Sequence, residues 1–248
     1  MRRFFTEPQN ITGDTAYIFE DSSHIKKVLR MDIGDEILIF DGSGFEYCAE
    51  LTVIEKNQCE ARIKERIASE SEPKIKVTLF QGLPKSGKME TIIQKAVELG
   101  VYEIVPVMME RCVTRINNPS AGAEKAKRWN KVSVEAVKQC GRGRVPLVHE
   151  PVTFEEAVSG MGELDLAIMP YEVLGHEGKS GLRELLDANS GAGSFGILVG
   201  PEGGFSDAEA EYAQRNGLSA VGLGKRILRT ETVASALIPI IMFYKNEL

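Results

Sequence analysis

"KIKVTLFQGLPKSGKMETIIQKAVELG", residues 74–100, passes from a short apolar run to a longer periodic one through a loop of Gly, Pro and Lys. Lys74 to Phe80 has the β-branched and aromatic residues of a buried strand, and Met89 to Gly100 repeats its apolar positions at helical spacing. Between them, Gly82 to Lys88 fits G-x-x-x-x-G-K, a phosphate-binding loop that needs a Ser or Thr after the Lys to hold Mg²⁺. Met89 stands there instead, and a thioether is a poor ligand for a hard cation. Pro84 also removes an N–H from a loop whose amides should cradle phosphate. The stretch predicts a strand-turn-helix unit; a P-loop phosphotransferase is kept only as the weaker alternative.

Downstream, strands and helices alternate, the pattern of a parallel sheet covered by helices. Strands are expected over Ile75–Phe80, Ile104–Met108, Leu164–Met169, Phe195–Val199 and Ala220–Leu223. Helices are expected over Met89–Leu99, Ala123–Gln139, Phe154–Ser159, Gly181–Ala188 and Asp207–Asn216, with a last one from about Glu231 to Tyr244 kinked at Pro239. Upstream the chain is mostly β. "DEILIFDGSGFEYCAELTVI" (Asp35–Ile54) places two apolar runs around Asp41-Gly42-Ser43-Gly44, a hairpin signal. "CEARIKERI" adds a third run. Ile25, Val28 and Leu29 predict one short helix packed on a small barrel, and "ASESEP" (Ala68–Pro73) predicts a linker. The division is a small β domain, residues 1–72, and a larger α/β domain, residues 73–248.

Composition is that of an ordinary globular chain, with 43% hydrophobic and 27% charged residues. "MRRFFTEPQN" lacks the apolar centre of a signal peptide. The run Val233–Tyr244 is too short to span a bilayer. Cys48, Cys59, Cys112 and Cys140 show no C-x-x-C pattern, which predicts no zinc ribbon and suits reduced thiols in the cytoplasm. His24, His149 and His176 are as scattered, so no metal site is expected. The net charge of −6 hides an uneven spread: residues 73–144 hold fourteen Lys/Arg against six Asp/Glu, while both flanks are acidic. A basic middle can attract a polyanion.

In open α/β sheets ligands bind where strands end, so the loops after strands matter most. Gly191, Gly193 and Gly196 spell G-x-G-x-x-G but precede a strand, which makes them a connector. "GILVGPEGGFSDAE" (Gly196–Glu209) ends a strand in Gly200-Pro201-Glu202-Gly203-Gly204 and opens a helix at Ser206, with Glu209 completing an S-x-x-E capping box. Bare backbone around one carboxylate is a ligand site in outline. "VGLGKRILRTETVASA" (Val221–Ala236) adds Lys225, Arg226 and Arg229, with Thr230 or Thr232 to cap the final helix. "IMPYE" (Ile168–Glu172) is a third strand-end loop.

"LVGPEGGFSDAE" followed by "LGKRILRTETVASA" resembles the C-terminal signature of the RsmE family, SPOUT-class RNA methyltransferases that methylate N3 of a uridine in 16S (small-subunit) ribosomal RNA with S-adenosylmethionine. "HIKKVLR" (His24–Arg30), "LPKSGKMETIIQKAVELGV" (Leu83–Val101) and "EAVKQCGR" (Glu135–Arg142) extend the likeness over nearly the whole chain. The resemblance implies a PUA-like N-terminal β-barrel that binds RNA, a C-terminal SPOUT domain with a trefoil knot, and a homodimer. It implies a cofactor pocket of Met169, Pro170, Gly200, Pro201, Glu202, Gly203, Gly204, Leu223, Gly224, Ile227, Leu228, Arg229 and Thr232. Candidate bases for the N3 proton are Glu202 and Glu231, with Arg229 stabilising charge on the uridine oxygens. RNA contacts are expected from Arg2, Arg3, His24, Arg30, Lys85, Lys88, Arg142 and Arg144, the last two extended from the glycines of "GRGR". The other alternative is a non-catalytic RNA-binding or ribosome-assembly protein.

Overall fold

The computed structural model describes residues 1–85, 87–116, 118–176 and 181–248. Ser86, within the opening stretch, lies outside them. The chain forms two compact units, Met1–Glu72 with Val134–Val145, and Pro73–Ser133 with Pro146–Leu248. The segment Val134–Val145, placed in the larger domain by the sequence, therefore packs with the first unit.

The first unit is a six-stranded sheet of β1 (Arg2–Phe5), β2 (Ile11–Thr12), β3 (Thr15–Ile18), β4 (Glu36–Phe40), β5 (Phe45–Ile54) and β6 (Cys59–Ala68), in the order β1-β4-β5-β6-β3-β2. All neighbours are antiparallel except β1 beside β4. The predicted hairpin is β4–β5: the Asp41 carboxylate accepts from the Ser43 N–H at 2.9 Å and from the Tyr47 hydroxyl at 2.9 Å, closing the turn. Alternation along the strands sends Ile37, Ile39, Tyr47, Ala49, Leu51 and Ala61 into one core with Ile18 and Ile25. The helix over His24–Leu29 is wound as a π-helix. Its wider turn keeps Ile25 buried but carries Val28 out to 66% exposure, so the α-helical spacing misplaces Val28.

Two further expectations for this unit are corrected. Ala68–Pro73 is not a free linker, because Glu72 binds the Arg142 guanidinium at 2.7 Å and accepts the N–H groups of Gly143 and Arg144 at 3.0 Å each. Arg142 does not reach out for RNA: it is 5% exposed and committed to that carboxylate. The glycine beside it serves packing, since a Cβ on Gly143 would lie 2.3 Å from Ser69 Cβ.

The second unit is a parallel sheet of β7 (Lys76–Gly82), β8 (Glu103–Met108), β9 (Leu147–Val148), β10 (Val152–Thr153), β11 (Leu166–Pro170), β12 (Ser194–Val199) and β13 (Ser219–Val221). The order is β10-β8-β7-β12-β11-β13, with β9 also on β8. Its helices are α1 (Lys88–Glu98), α2 (Pro119–Cys140), α3 (Phe154–Met161), α4 (Glu172–His176), α5 (Leu182–Ala188), α6 (Asp207–Arg215) and α7 (Thr230–Tyr244); the last turns of α2 go with the first unit. Central strands β7 and β12 are buried on both faces (Val77, Leu79, Phe195, Ile197 and Leu198), as their apolar-rich runs predict. The capping box Ser206/Glu209 forms, and Glu209 also accepts from the Glu110 N–H at 2.7 Å, fixing α6 against the end of β8. After β13 at the sheet edge the chain returns to its centre, where α7 packs on α1 and β12 and runs through Pro239 unbroken. The two-residue strands β9 and β10 and the one-turn α4 are too short to leave a period in the sequence.

Candidate active site

Three chain segments meet where β11, β12 and β13 end. They enclose a cavity of about 370 Å³, within the range of small-molecule sites. Of the residues expected there, Pro170, Gly200, Pro201, Glu202, Gly204, Leu223, Gly224, Ile227, Leu228 and Arg229 line it. Met169 does not: it is fully buried in β11. Gly203 and Thr232 are also outside the lining. The Gly203 carbonyl accepts from Arg111 Nη1 at 3.1 Å, and Thr232 is exposed on the first turn of α7. Lys225 and Arg226 of the second strand-end loop and Tyr171 and Glu172 of the third line it as well, together with Lys88, Val199, Phe205, Thr230 and Val233, which were not assigned to the pocket.

Neither threonine caps α7. Arg229 occupies the cap position without a side-chain bond, and Thr230 faces inward. Its hydroxyl donates to the Gly200 carbonyl at 2.7 Å and accepts from Gln81 Nε2 at 2.9 Å, so the ends of β7 and β12 and the start of α7 are pinned at one point. Gln81 is fully buried, and its Oε1 has no partner among the described residues. A polar residue closing the run "VTLF" was the signal for this contact. The same crossing explains Gly82: a Cβ there would meet Pro201 Cδ and N at 2.8 Å each. Gly82→Ala is expected to lose about 1–3 kcal/mol of stability, read by denaturant unfolding.

Lys88 and Glu202 of the lining form a charged cluster with Glu231, which is itself outside the lining. Lys88 Nζ lies 3.1 Å from Glu202 Oε1 and 3.2 Å from Glu231 Oε2. Glu202 also accepts the Lys85 N–H, at 3.1 and 3.3 Å to its two oxygens, which ties the loop after β12 to the loop after β7. Burial pushes the Glu202 pKa up, but hydrogen bonds from its own N–H and that of Lys85, together with the Lys88 ammonium, outweigh it and hold the carboxyl below its ordinary value. Glu231 is held low first by its own backbone N–H at the start of α7, against burial, and then by Lys88 and Arg229. Lys88 is raised, chiefly by its hydrogen bond to Glu202. Lys88 is thus engaged by carboxylates, which corrects its assignment to RNA phosphate.

The remaining RNA candidates separate by exposure. Arg2, His24, Arg30 and Lys85 are exposed. Arg3 is not available: its guanidinium lies 3.7 Å over the Phe40 ring, pairs with Glu46 at 2.8 Å and donates to the Arg142 carbonyl. Arg144 is half-buried and its N–H is held by Glu72. Among the described residues no three His, Cys, Asp or Glu side chains gather as a metal site would require, and no helix is long and apolar enough to cross a membrane.

A parallel sheet whose last helix is pinned back onto a glycine-rich strand-end pocket defines an RNA methyltransferase domain, and the model of that family matches residues 70–242 while a model of the RNA methyltransferase PUA domain matches residues 20–64. The chain belongs to the ribosomal RNA small subunit methyltransferase E family. It is 34% identical over 237 residues to that enzyme of Bacillus subtilis (strain 168), covering 94% of this chain and 92% of the relative. It is 28% identical over 243 residues to the one from Aquifex aeolicus (strain VF5), covering 98% and 99%. Among solved structures, ribosomal RNA small subunit methyltransferase E from Neisseria gonorrhoeae, bound to S-adenosyl methionine, superposes with a TM-score of 0.82 at 35% identity, covering 98% and 97%.

Proposed function

We propose that this chain methylates N3 of a uridine in 16S ribosomal RNA with S-adenosylmethionine as donor. The observation that carries this is the pocket: a cavity of about 370 Å³ with backbone exposed at Gly200, Gly204 and Gly224, an apolar wall of Leu223, Ile227 and Leu228, and the Glu202 carboxylate at one side, linked through Lys88 to Glu231. The donor fits that chemistry, because backbone amides and carbonyls suit an adenine edge and ribose while the Lys88–Glu202–Glu231 cluster, at net −1, suits a cation. When bound, S-adenosylmethionine supplies an electrophilic methyl group on a sulfonium.

The chain's own residues have two tasks. They hold base and donor in line, which supplies much of the rate, and they take the N3 proton. Glu202 or Glu231 receives that proton, and Arg229, exposed at the α7 start, faces charge developing on the uridine carbonyl oxygens. RNA phosphate is met by Arg2, His24 and Arg30 of the PUA-like unit and by Lys85, so affinity falls steeply with salt. The return of the chain from β13 to Gly200 and Gln81 supports a trefoil knot. Ile240 and Phe243, 42% and 75% exposed on α7, support a homodimer through that helix. Four free cysteines suit the cytoplasm.

Titration calorimetry with S-adenosylmethionine and with Mg·ATP tests the donor, and mass spectrometry of 16S RNA from small subunits treated with the protein tests the product. Donor binding without ATP binding, and N3-methyluridine, are expected. ATP binding alone would return the loop at Gly82–Lys88 to the phosphotransferases. RNA affinity with an empty pocket would leave a non-catalytic binding protein.

A further inference from the structure

We infer that Lys88 is a positioning residue: a cation that holds Glu202 and Glu231 side by side and ionised, so that a proton acceptor stands ready at the pocket wall. The three side chains come from separate segments, Lys88 from the first residue of α1, Glu202 from the loop after β12 and Glu231 from the first turn of α7. Lys88 touches both carboxylates, at 3.1 and 3.2 Å. The side chains are 34%, 22% and 25% exposed, so water screens their mutual charge only in part.

Two carboxylates brought together without a cation disfavour each other's charge, which raises the midpoint of one of them. The other charged groups facing the cluster do not substitute. Arg229 acts on Glu231 through its charge, without an ion pair or hydrogen bond to either carboxylate among the described residues, and Lys85 reaches Glu202 through its backbone N–H. Lys225 and Arg226 line the cavity without pairing to Glu202 or Glu231. Glu172 lines it too and adds negative charge, while Glu90 on α1 is taken by Arg128. Removing Lys88 therefore leaves the two carboxylates to backbone N–H groups and, for Glu231, the Arg229 charge, and raises the midpoint of at least one of them. Lys85 still anchors Glu202, so the loop keeps its place.

This role rests on the methyltransferase function, but its first test needs no donor. In free protein carrying ¹³C-carboxyl glutamate, the Glu202 and Glu231 resonances, assigned with Glu202→Gln and Glu231→Gln, are titrated by NMR. Lys88→Met should move at least one midpoint to higher pH, and Lys88→Arg should leave both near wild type. The second test is the single-turnover rate against pH. A base works only when ionised, so a raised midpoint moves the acid limb upward. On the acid limb, below the midpoint, Lys88→Met should lose about ten-fold for each unit by which the midpoint rises, relative to its own rate at about pH 8.5, and Lys88→Arg should restore the profile. Unchanged midpoints in Lys88→Met overturn the inference. So does a salt slope of RNA binding reduced by about one with midpoints unmoved, the mark of a lost phosphate contact. If wild type neither binds the donor nor methylates RNA, the proposed function fails, while the carboxylate titration still decides what Lys88 does.

Discussion

Changing Glu202 and Glu231 together to Gln is expected to lower the single-turnover methylation rate by roughly 10²-fold or more, the usual contribution of a positioned base, while donor binding persists. Both are changed because Lys88 contacts the two at nearly equal distance, so a single variant would test only one of the candidate acceptors. Gln keeps an oxygen for the Lys85 N–H and for Lys88, so the loops after β7 and β12 stay joined. Both carboxyls lie below their ordinary values, Glu202 because hydrogen bonds and Lys88 outweigh burial and Glu231 first through its own N–H. Their ionised form is therefore already complete at neutral pH, and the wild-type rate should fall only in acid. Holding them low also makes them weak bases, so most of the acceleration is left to alignment of base and donor. A double variant with wild-type rate at every pH would remove carboxylates from the mechanism and leave proton loss to solvent, with Arg229 stabilising the anion.

What the sequence made legible was local. The β4–β5 hairpin, the Ser206/Glu209 box and the strand-end glycines each lie within a few residues, where turn chemistry and capping act, and of those glycines Gly200, Gly204 and Gly224 line the cavity. What it hid depends on distance along the chain. Lys88 sits in a pattern that suggests phosphate, but one of its partners, Glu231, is 143 positions away. Thr230 read as a helix cap because helix starts favour Thr; instead the return of the chain to β12 offers it the Gly200 carbonyl. Met169 entered the pocket with Pro170 through the family resemblance, yet the alternation of a strand turns adjacent side chains to opposite faces. Ala68–Pro73 read as a linker from its Ser, Glu and Pro, and nothing local announces that Glu72 has a guanidinium waiting 70 positions on.

That guanidinium sets the largest stability effect. Arg142→Met should cost about 3 kcal/mol, because removing one partner of a buried ion pair strands the other. At this size that is a fall in Tm of roughly 6–12 °C. Arg142 is 6% exposed in its side chain and Glu72 18%, and the carboxylate also accepts the N–H groups of Gly143 and Arg144, so the turn after α2 is organised around it. Glu72→Gln should cost a comparable amount, and the two changes together less than their sum, since each removes the same interaction. The salt dependence of RNA binding should stay as in wild type, whereas a lost phosphate contact would reduce its slope by about one. Stability near wild type together with that reduced slope would mean that Arg142 leaves Glu72 to bind RNA, and that the buried pair describes only the free protein.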